Sequence, residues 1–215
     1  MDRSRIAIVI PALNESSTIV GVVEAAAKHG VPIVVDDGST DGTAGLASRA
    51  GAVVISHVEN LGYDAALNSG FKKAAELESE IIVTLDADGQ HDPSLINKFI
   101  DAIGKGVDVV VGVRSRRQRL AEHLFAGCTS FRFGIKDPMC GMKAYRTVVY
   151  KALGHFDSCG SVGTELMIFA AKNGFRIGQI EFEARERNGR SRFGQAIAGN
   201  YKIMRAMFLT AVCIK

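Results

Sequence analysis

The sequence predicts one α/β domain in which helices cover both faces of a parallel sheet. Short β-branched apolar runs recur along the chain, and segments of helical pattern separate them. The runs are apolar almost without a break, as strands buried on both faces are. A length of 215 residues suits one domain, and 47% hydrophobic residues are enough to fill its core.

Taken in order, residues 6–10, 32–35, 52–56, 81–85 and 107–111 read as strands. Residues 16–29, 41–50, 63–78 and 93–104 read as the helices between them. Three of these helices have start signals: Ser17 before Thr18, Asp41 before Gly42, and Asp92 followed by Pro93 at the first helical position. Beyond residue 113 the alternation weakens. A basic helical stretch at about 116–133 leads to Asp137-Pro138-Met139-Cys140-Gly141-Met142-Lys143-Ala144-Tyr145. Helices near 146–154 and 162–173, a strand near 177–183 and an Arg/Gly-rich loop follow. In the last helix Ile197, Tyr201, Met204, Phe208 and Val212 form an apolar stripe. The expected organisation is a main unit 1–194, divided at about 113/114 into a ligand-binding half and a completing half, then a helix 195–215.

Charge and cysteine content narrow the function. Twenty-six Lys and Arg against 23 Asp and Glu leave a net +3, too small an excess for a generic nucleic-acid binder. The arginines come in two blocks, Arg114, Arg116, Arg117 and Arg119, then Arg185, Arg187, Arg190 and Arg192, which suits a compact anionic ligand. No apolar run is long enough to span a bilayer, and the five apolar residues before Pro11 are too few for a signal-peptide core. A cytoplasmic protein with four reduced thiols (Cys128, Cys140, Cys159, Cys213) is expected.

In an open parallel sheet, ligands sit at the carboxyl ends of the strands. Three such ends are polar: Pro11-Ala12-Leu13-Asn14-Glu15, Asp36-Asp37-Gly38-Ser39-Thr40-Asp41, and Asp86-Ala87-Asp88-Gly89-Gln90-His91. If the chain stays extended through Asp86-x-Asp88, both carboxylates point the same way and can address one hard divalent cation carrying phosphate oxygens. Other chemistries fail on spacing. The calcium-loop pattern from Asp37 meets Ser48 at its twelfth position, and the one from Asp86 meets Asn97. Phosphate-loop and dinucleotide fingerprints, HExxH and Gly-x-Ser-x-Gly are absent.

Together, Ile-Pro-Ala-Leu-Asn-Glu at 10–15, Val-Asp-Asp-Gly-Ser-Thr-Asp at 35–41, Leu-Asp-Ala-Asp-Gly-Gln-His-Asp-Pro at 85–93 and the motif at 137–145 resemble the family 2 glycosyltransferases. The likeness is to the branch typified by dolichyl-phosphate mannose synthase and bacterial polyprenyl-phosphate sugar transferases. It implies a GT-A fold, with a mostly parallel, Rossmann-like sheet. It also implies an inverting, metal-dependent transfer of a hexose from a UDP- or GDP-sugar to a polyprenyl phosphate at the cytoplasmic face of a membrane. By the same resemblance Pro11, Leu13, Glu15, Val35, Asp37, Asp86, Ala87, Gln90, Arg114 and Arg187 bind the nucleotide sugar. Asp88 holds Mg²⁺ or Mn²⁺ with Gln90, and Arg192, where the family usually has Lys, closes over the donor in a loop that also holds Gly189 and Ser191. Peripheral membrane contact through the last helix is expected, and no nucleic acid. Glu165 stands where members acting on hydroxyls carry their base, so a saccharide hydroxyl is the alternative acceptor. A haloacid-dehalogenase-type phosphatase and a non-catalytic nucleotide-sugar-binding regulator are the rival readings.

Overall fold

The structure, a computed structural model, describes residues 2–89, 92–115, 120–183 and 196–212. Among these, seven strands form one sheet: β1 (Ile6–Ala12), β2 (Val31–Asp36), β3 (Val53–Ser56), β4 (Ile81–Thr84), β5 (Val109–Arg114), β6 (Lys143–Arg146) and β7 (Ile177–Phe182). Their order is β3-β2-β1-β4-β6-β5-β7. All neighbouring pairs are parallel except those of β6, which runs antiparallel to both β4 and β5.

The described residues also form eight helices: α1 (Ile19–Ala27), α2 (Thr43–Arg49), α3 (Tyr63–Glu76), α4 (Ile96–Gly104), α5 (Leu120–Phe133), α6 (Thr147–Leu153), α7 (Glu165–Lys172) and α8 (Ala196–Val212). Every residue of β1 and β4 is buried, which is why these runs lack a polar alternation. Alternate residues serve opposite cores. Ile6, Ile8 and Ile10 pack towards α1 and α4, whereas Ala7 and Val9 pack towards α3 and α7. Gly70 lets α3 lie directly on β1, since a Cβ there would come 2.2 Å from Val9 Cγ1.

Two of the three start signals are used. Asp41 Oδ1 accepts the Thr43 amide at 3.1 Å, and Asp92 accepts the Ser94 amide at 3.0 Å ahead of the turn that feeds α4. Ser17 is not used: Thr18 stands at the start of α1 and no side chain caps it. The expected strands are found within a few residues. β6 was not foreseen, because four residues inside a Gly/Met/Lys motif are too short to show a period. The helix expected from 116 begins among the described residues at Leu120. No described helix is long and apolar enough to cross a membrane. In α8, Ile203 and Ala206 are buried with Ala121 and Phe125 of α5, while Tyr201, Met204 and Phe208 are exposed.

Candidate active site at the carboxyl edge of the sheet

Chain direction places the site. From β1 the chain moves outward to β2 and β3, and β4 then returns to the other side of β1. The crevice where a sheet's order reverses is the ligand position of this architecture, and here it lies above the ends of β1 and β4. The loops after β1 and β2 form one wall through crossed hydrogen bonds. The Asn14 amide donates to Ser39 Oγ and the Thr40 amide to Asn14 Oδ1, both at 2.9 Å. The Glu15 amide donates to Thr43 Oγ1 at 2.9 Å and the Ser16 amide to Asp41 Oδ2 at 3.0 Å. Asn14 accommodates this with a left-handed backbone, φ 54°. Burial pushes the Asp41 carboxyl up, but the hydrogen bonds from Thr43 and Ser16 together outweigh it and hold it at about 2.

Of the residues expected in the nucleotide pocket, Pro11 and Val35 are opposite one another in the β1–β2 ladder, and Leu13 and Glu15 follow the end of β1. Asp37 is buried with both oxygens engaged. Oδ1 accepts the Leu61 amide at 2.9 Å and faces His57 Nδ1 at 2.7 Å, and Oδ2 accepts the Gly62 amide at 2.8 Å. His57 Nε2 continues the chain to Ser69 Oγ at 2.9 Å. Asp37 therefore fixes the segment leading into α3. Its neighbour Asp36 carries a buried Oδ1 with no partner among the described residues, an acceptor the sequence did not single out.

At the end of β4, Leu85 and Ala87 enter the core and Asp88 is buried. The strand stops at Thr84 and the chain turns through Ala87 and Asp88, so the extended alternation expected for Asp86-x-Asp88 gives way to a turn. Asp86 is half-buried, and the Tyr63 hydroxyl donates to its Oδ1 at 3.5 Å. Gly141 backs the same carboxylate: a Cβ there would lie 2.1 Å from Asp86 Oδ2. That approach follows from the direction of β6. An antiparallel strand begins where its parallel neighbours end, so Lys143, opposite Thr84, brings Gly141 beside Asp86. Lys143 is buried and donates from Nζ to the Gly163 carbonyl at 3.2 Å. Burial pushes its ammonium down, against the opposing pull of Cys140, Asp137 and Asp86.

The segment 157–163 closes this side. Asp157 Oδ1 accepts the Gly160 and Ser161 amides at 2.7 and 3.0 Å. Val162 and Gly163 both have left-handed backbones, at φ 55° and 70°. Asp64, in the first turn of α3, accepts the Val162 amide at 3.3 Å through Oδ2, while its Oδ1 is buried without a partner among the described residues. Burial and the nearby Asp157 raise the Asp64 carboxyl to about 6, against the Val162 and Gly163 amides. Glu165 opens α7 with His155 Nε2 at 2.8 Å and the Ser158 hydroxyl at 2.9 Å from its Oε1, and the Ser158 amide donates to its Oε2. Burial opposes its ionisation, but the Ser158 and His155 donors prevail and keep it below the ordinary carboxylate range.

Arg114 ends β5 in a two-pronged pair with Asp137, Nε to Oδ2 at 2.8 Å and Nη2 to Oδ1 at 2.9 Å, and reaches Glu122 at 3.1 Å. Burial opposes its charge, yet the Asp137 carboxylate raises it further. The pair fastens the 137–143 motif to β5. Asp157, Cys159 and Glu165 bring possible metal-ligating atoms within 4.8 Å of one another. Backbone amides, Ser158 and His155 already occupy the two carboxylates, which makes this trio a poor cation site. Gln90, Arg187 and Arg192 lie outside the described residues, as does the loop expected to close over the donor. Tyr63, Asp64 and Asp157 carry no motif of their own, and only the folded contacts bring them to the site.

Comparison with known proteins places this geometry. The profile described as "Glycosyl transferase family 2" matches residues 7–127, more than half of the chain. The chain belongs to that family. Among curated relatives, the polyprenol monophosphomannose synthase of Mycolicibacterium smegmatis is 30% identical over 96% of this chain and 86% of its own length. The dolichyl-phosphate hexose transferase of Haloferax volcanii is 30% identical, covering 90% of this chain and 89% of that protein. The UDP-N-acetylglucosamine–dolichyl-phosphate N-acetylglucosaminyltransferase of Methanococcus voltae is 30% identical, covering 80% and 82%. The fold is shared with glucosyl-3-phosphoglycerate synthase from Mycobacterium tuberculosis, solved with Mn²⁺ and UDP-glucose, at a TM-score of 0.75 and 24% identity over 98% of this chain and 79% of that one. The GT-A expectation holds. Family membership also sets the phosphatase reading aside.

Proposed function

We propose that this family 2 glycosyltransferase moves a hexose from a UDP- or GDP-sugar to a polyprenyl phosphate, inverting the anomeric centre, with Mg²⁺ or Mn²⁺ bound by Asp88 and Gln90. The names of the relatives support the acceptor class, and the neighbour with Mn²⁺ and UDP-glucose supports the donor class and the metal. The donor set fits a hard divalent ion: two carboxylates, half-buried Asp86 and buried Asp88, follow the end of β4, and Gly141 leaves Asp86 room that a side chain would take. Bound there, such an ion neutralises charge developing on the leaving diphosphate.

The chain's own residues do the rest. Pro11, Leu13, Glu15 and Val35 line the base and ribose end, and Asp37 holds the adjoining segment in place. The Asp36 Oδ1, without a partner among the described residues, is suited to accept from a base N–H. Asp86 and Ala87 adjoin the ribose and diphosphate, and Lys143 holds the turn at Gly163. Arg114 acts by fixing the 137–143 motif, whereas Arg187 and Arg192 would meet the donor phosphates from the loop that follows β7.

One observation favours the phosphate acceptor. A hydroxyl acceptor needs a base, and Glu165 is held below the ordinary carboxylate range with both oxygens engaged, so it is a weak proton acceptor. A phosphate oxygen is already anionic and needs none. Glu165 in this reading fixes the 155–165 segment. Nucleoside diphosphate release from a panel of UDP- and GDP-sugars, with polyprenyl phosphate or with saccharides, tests this directly. Glu165→Gln should keep polyprenyl-phosphate transfer within about tenfold of wild type; a loss of about three decades would give Glu165 a part in the chemical step, and transfer by wild type to a saccharide but not to polyprenyl phosphate would restore the hydroxyl reading. No release with any donor would favour a non-catalytic regulator. The same reading puts the chain at the cytoplasmic face of a membrane, touching it through Tyr201, Met204 and Phe208 of α8.

A further inference from the structure

Among the described residues, three besides glycine have a left-handed backbone: Asn14, Glu78 and Val162. Asn adopts it at little cost, and Glu78 follows the last turn of α3, where helices commonly end in that form. Neither reason applies to Val162. A β-branched residue at φ 55° is strained, and it persists only where its surroundings hold it there. Glycine would adopt the same turn freely, so the reason for valine lies in its side chain.

That side chain packs on the cluster joining α5 to α8, in which Ala121, Phe125, Ile203 and Ala206 are buried. Met139 of the 137–143 motif packs on the same cluster. Arg205 of α8 also reaches this segment, with Nη1 3.2 Å from where a Cβ on Gly160 would lie. The backbone of the turn serves the site. Asp64 Oδ2 accepts the Val162 amide at 3.3 Å, and the Gly163 carbonyl accepts from Lys143 Nζ at 3.2 Å. Tyr63, whose hydroxyl donates to Asp86, lies 3.4 Å from the Cβ position of Gly163. Both ends of the Lys143–Gly163 bond therefore rest on one cluster, the first through Met139 of its motif and the second through Val162. We propose that Val162 is a positioning residue that couples the seating of α8 to the 162–163 turn, and through it to Lys143 and the Tyr63–Asp86 contact. The consequence for turnover rests on Asp86 being a donor-binding residue, as proposed above; the coupling itself does not.

Hydrogen exchange and steady-state kinetics test this on the full chain, with Val162→Gly, Val162→Ile, Ile203→Ala and the Val162→Gly/Ile203→Ala double variant. Ile203→Ala opens the α8 side of the cluster and should raise exchange of the Val162 and Gly163 amides about tenfold. Amides of β1 and β4 should stay protected, which shows that the variant is folded. Val162→Gly should lower kcat about tenfold with the donor KM within about threefold, because a constraint is lost rather than a binding group. Val162→Ile keeps a β-branched side chain in the cluster and should stay within about threefold of wild type in both. Since α8 acts through Val162, the double variant should be no slower than Val162→Gly alone. Wild-type kcat in Val162→Gly overturns the proposal, as does a double variant whose losses multiply, or unchanged exchange at 162 and 163 in Ile203→Ala. If Ile203→Ala also loses protection in β1 and β4, the Gly163 amide of Val162→Gly decides instead: faster exchange supports the proposal and unchanged exchange overturns it. If wild type turns over no nucleotide sugar, exchange confined to 162 and 163 upholds the coupling, and the reading of the reaction alone falls.

Discussion

The two sides of the cleft are held by different kinds of bond. The wall after β1 and β2 is a lattice of amides and short polar side chains, with Asn14, Ser39, Thr40 and Asp41 at or near the surface over buried Thr43, joined over sequence gaps of 25 to 28. The side built from β6 and the segment before α7 rests on buried charges: Lys143, the Arg114–Asp137 pair, and Asp64 near Asp157. Exposed hydrogen bonds are individually cheap to lose because water replaces the partner. A buried charge stripped of its partner has no such replacement. Substitutions should therefore be tolerated on the first side and severe or pH-dependent on the second.

The largest expected effect is catalytic and lies between the two. Asp88→Ala should lower nucleoside diphosphate release by about three decades, and EDTA should do the same to wild type. Full turnover in EDTA would remove the metal from the proposal. Next, Asp137→Ala removes the two-pronged partner and leaves the half-buried Arg114 guanidinium with Glu122 alone, and chemical denaturation should show a loss of about 3 kcal/mol. A change below about 1 kcal/mol would mean that Arg114 finds other partners and that the comparison overstates the buried side.

Asp64→Asn works in the opposite direction. Because the folded chain holds this proton up to about pH 6, against an ordinary value of 3.8, protonated Asp64 favours the folded state at low pH. That advantage disappears as pH rises through 6, after which a buried carboxylate opposes folding. The Asn variant should be more stable than wild type at pH 8 by on the order of 2 kcal/mol, with the gap closing by about pH 4. A gap that does not vary with pH would refute the titration. The smallest effect belongs to the exposed wall. Asp41→Ala removes acceptors for Ser16 and Thr43 and should reduce stability by about 1 kcal/mol or less at pH 7. As Asp41 titrates near 2, the difference from wild type should fade only as pH drops from about 4 to below 2.

The same contrast explains which parts of the molecule could be read beforehand. Residues on the β1–β2 wall are neighbours in short motifs at the ends of long apolar strands, so strand pattern and polar end appear together in the linear chain. Asp86 and Asp88 were legible for the same reason. Asp64 and Tyr63 were not, since each is an ordinary residue in the first turn of a helix until Val162 and Asp86 arrive from far along the chain. Asp37 was legible as a pocket residue, but its engagement with His57, Leu61 and Gly62 was not.

By itself the sequence determined the alternation of buried strands and helices, the carboxylates at the strand ends and the family, because strand burial and short-range motifs are written in local order. Only the tertiary structure decided the antiparallel insertion of β6 between β4 and β5. That one reversal carries Gly141 to Asp86 and buries Lys143 under the turn at Gly163. Neither could be read from periodicity, because four residues set no period.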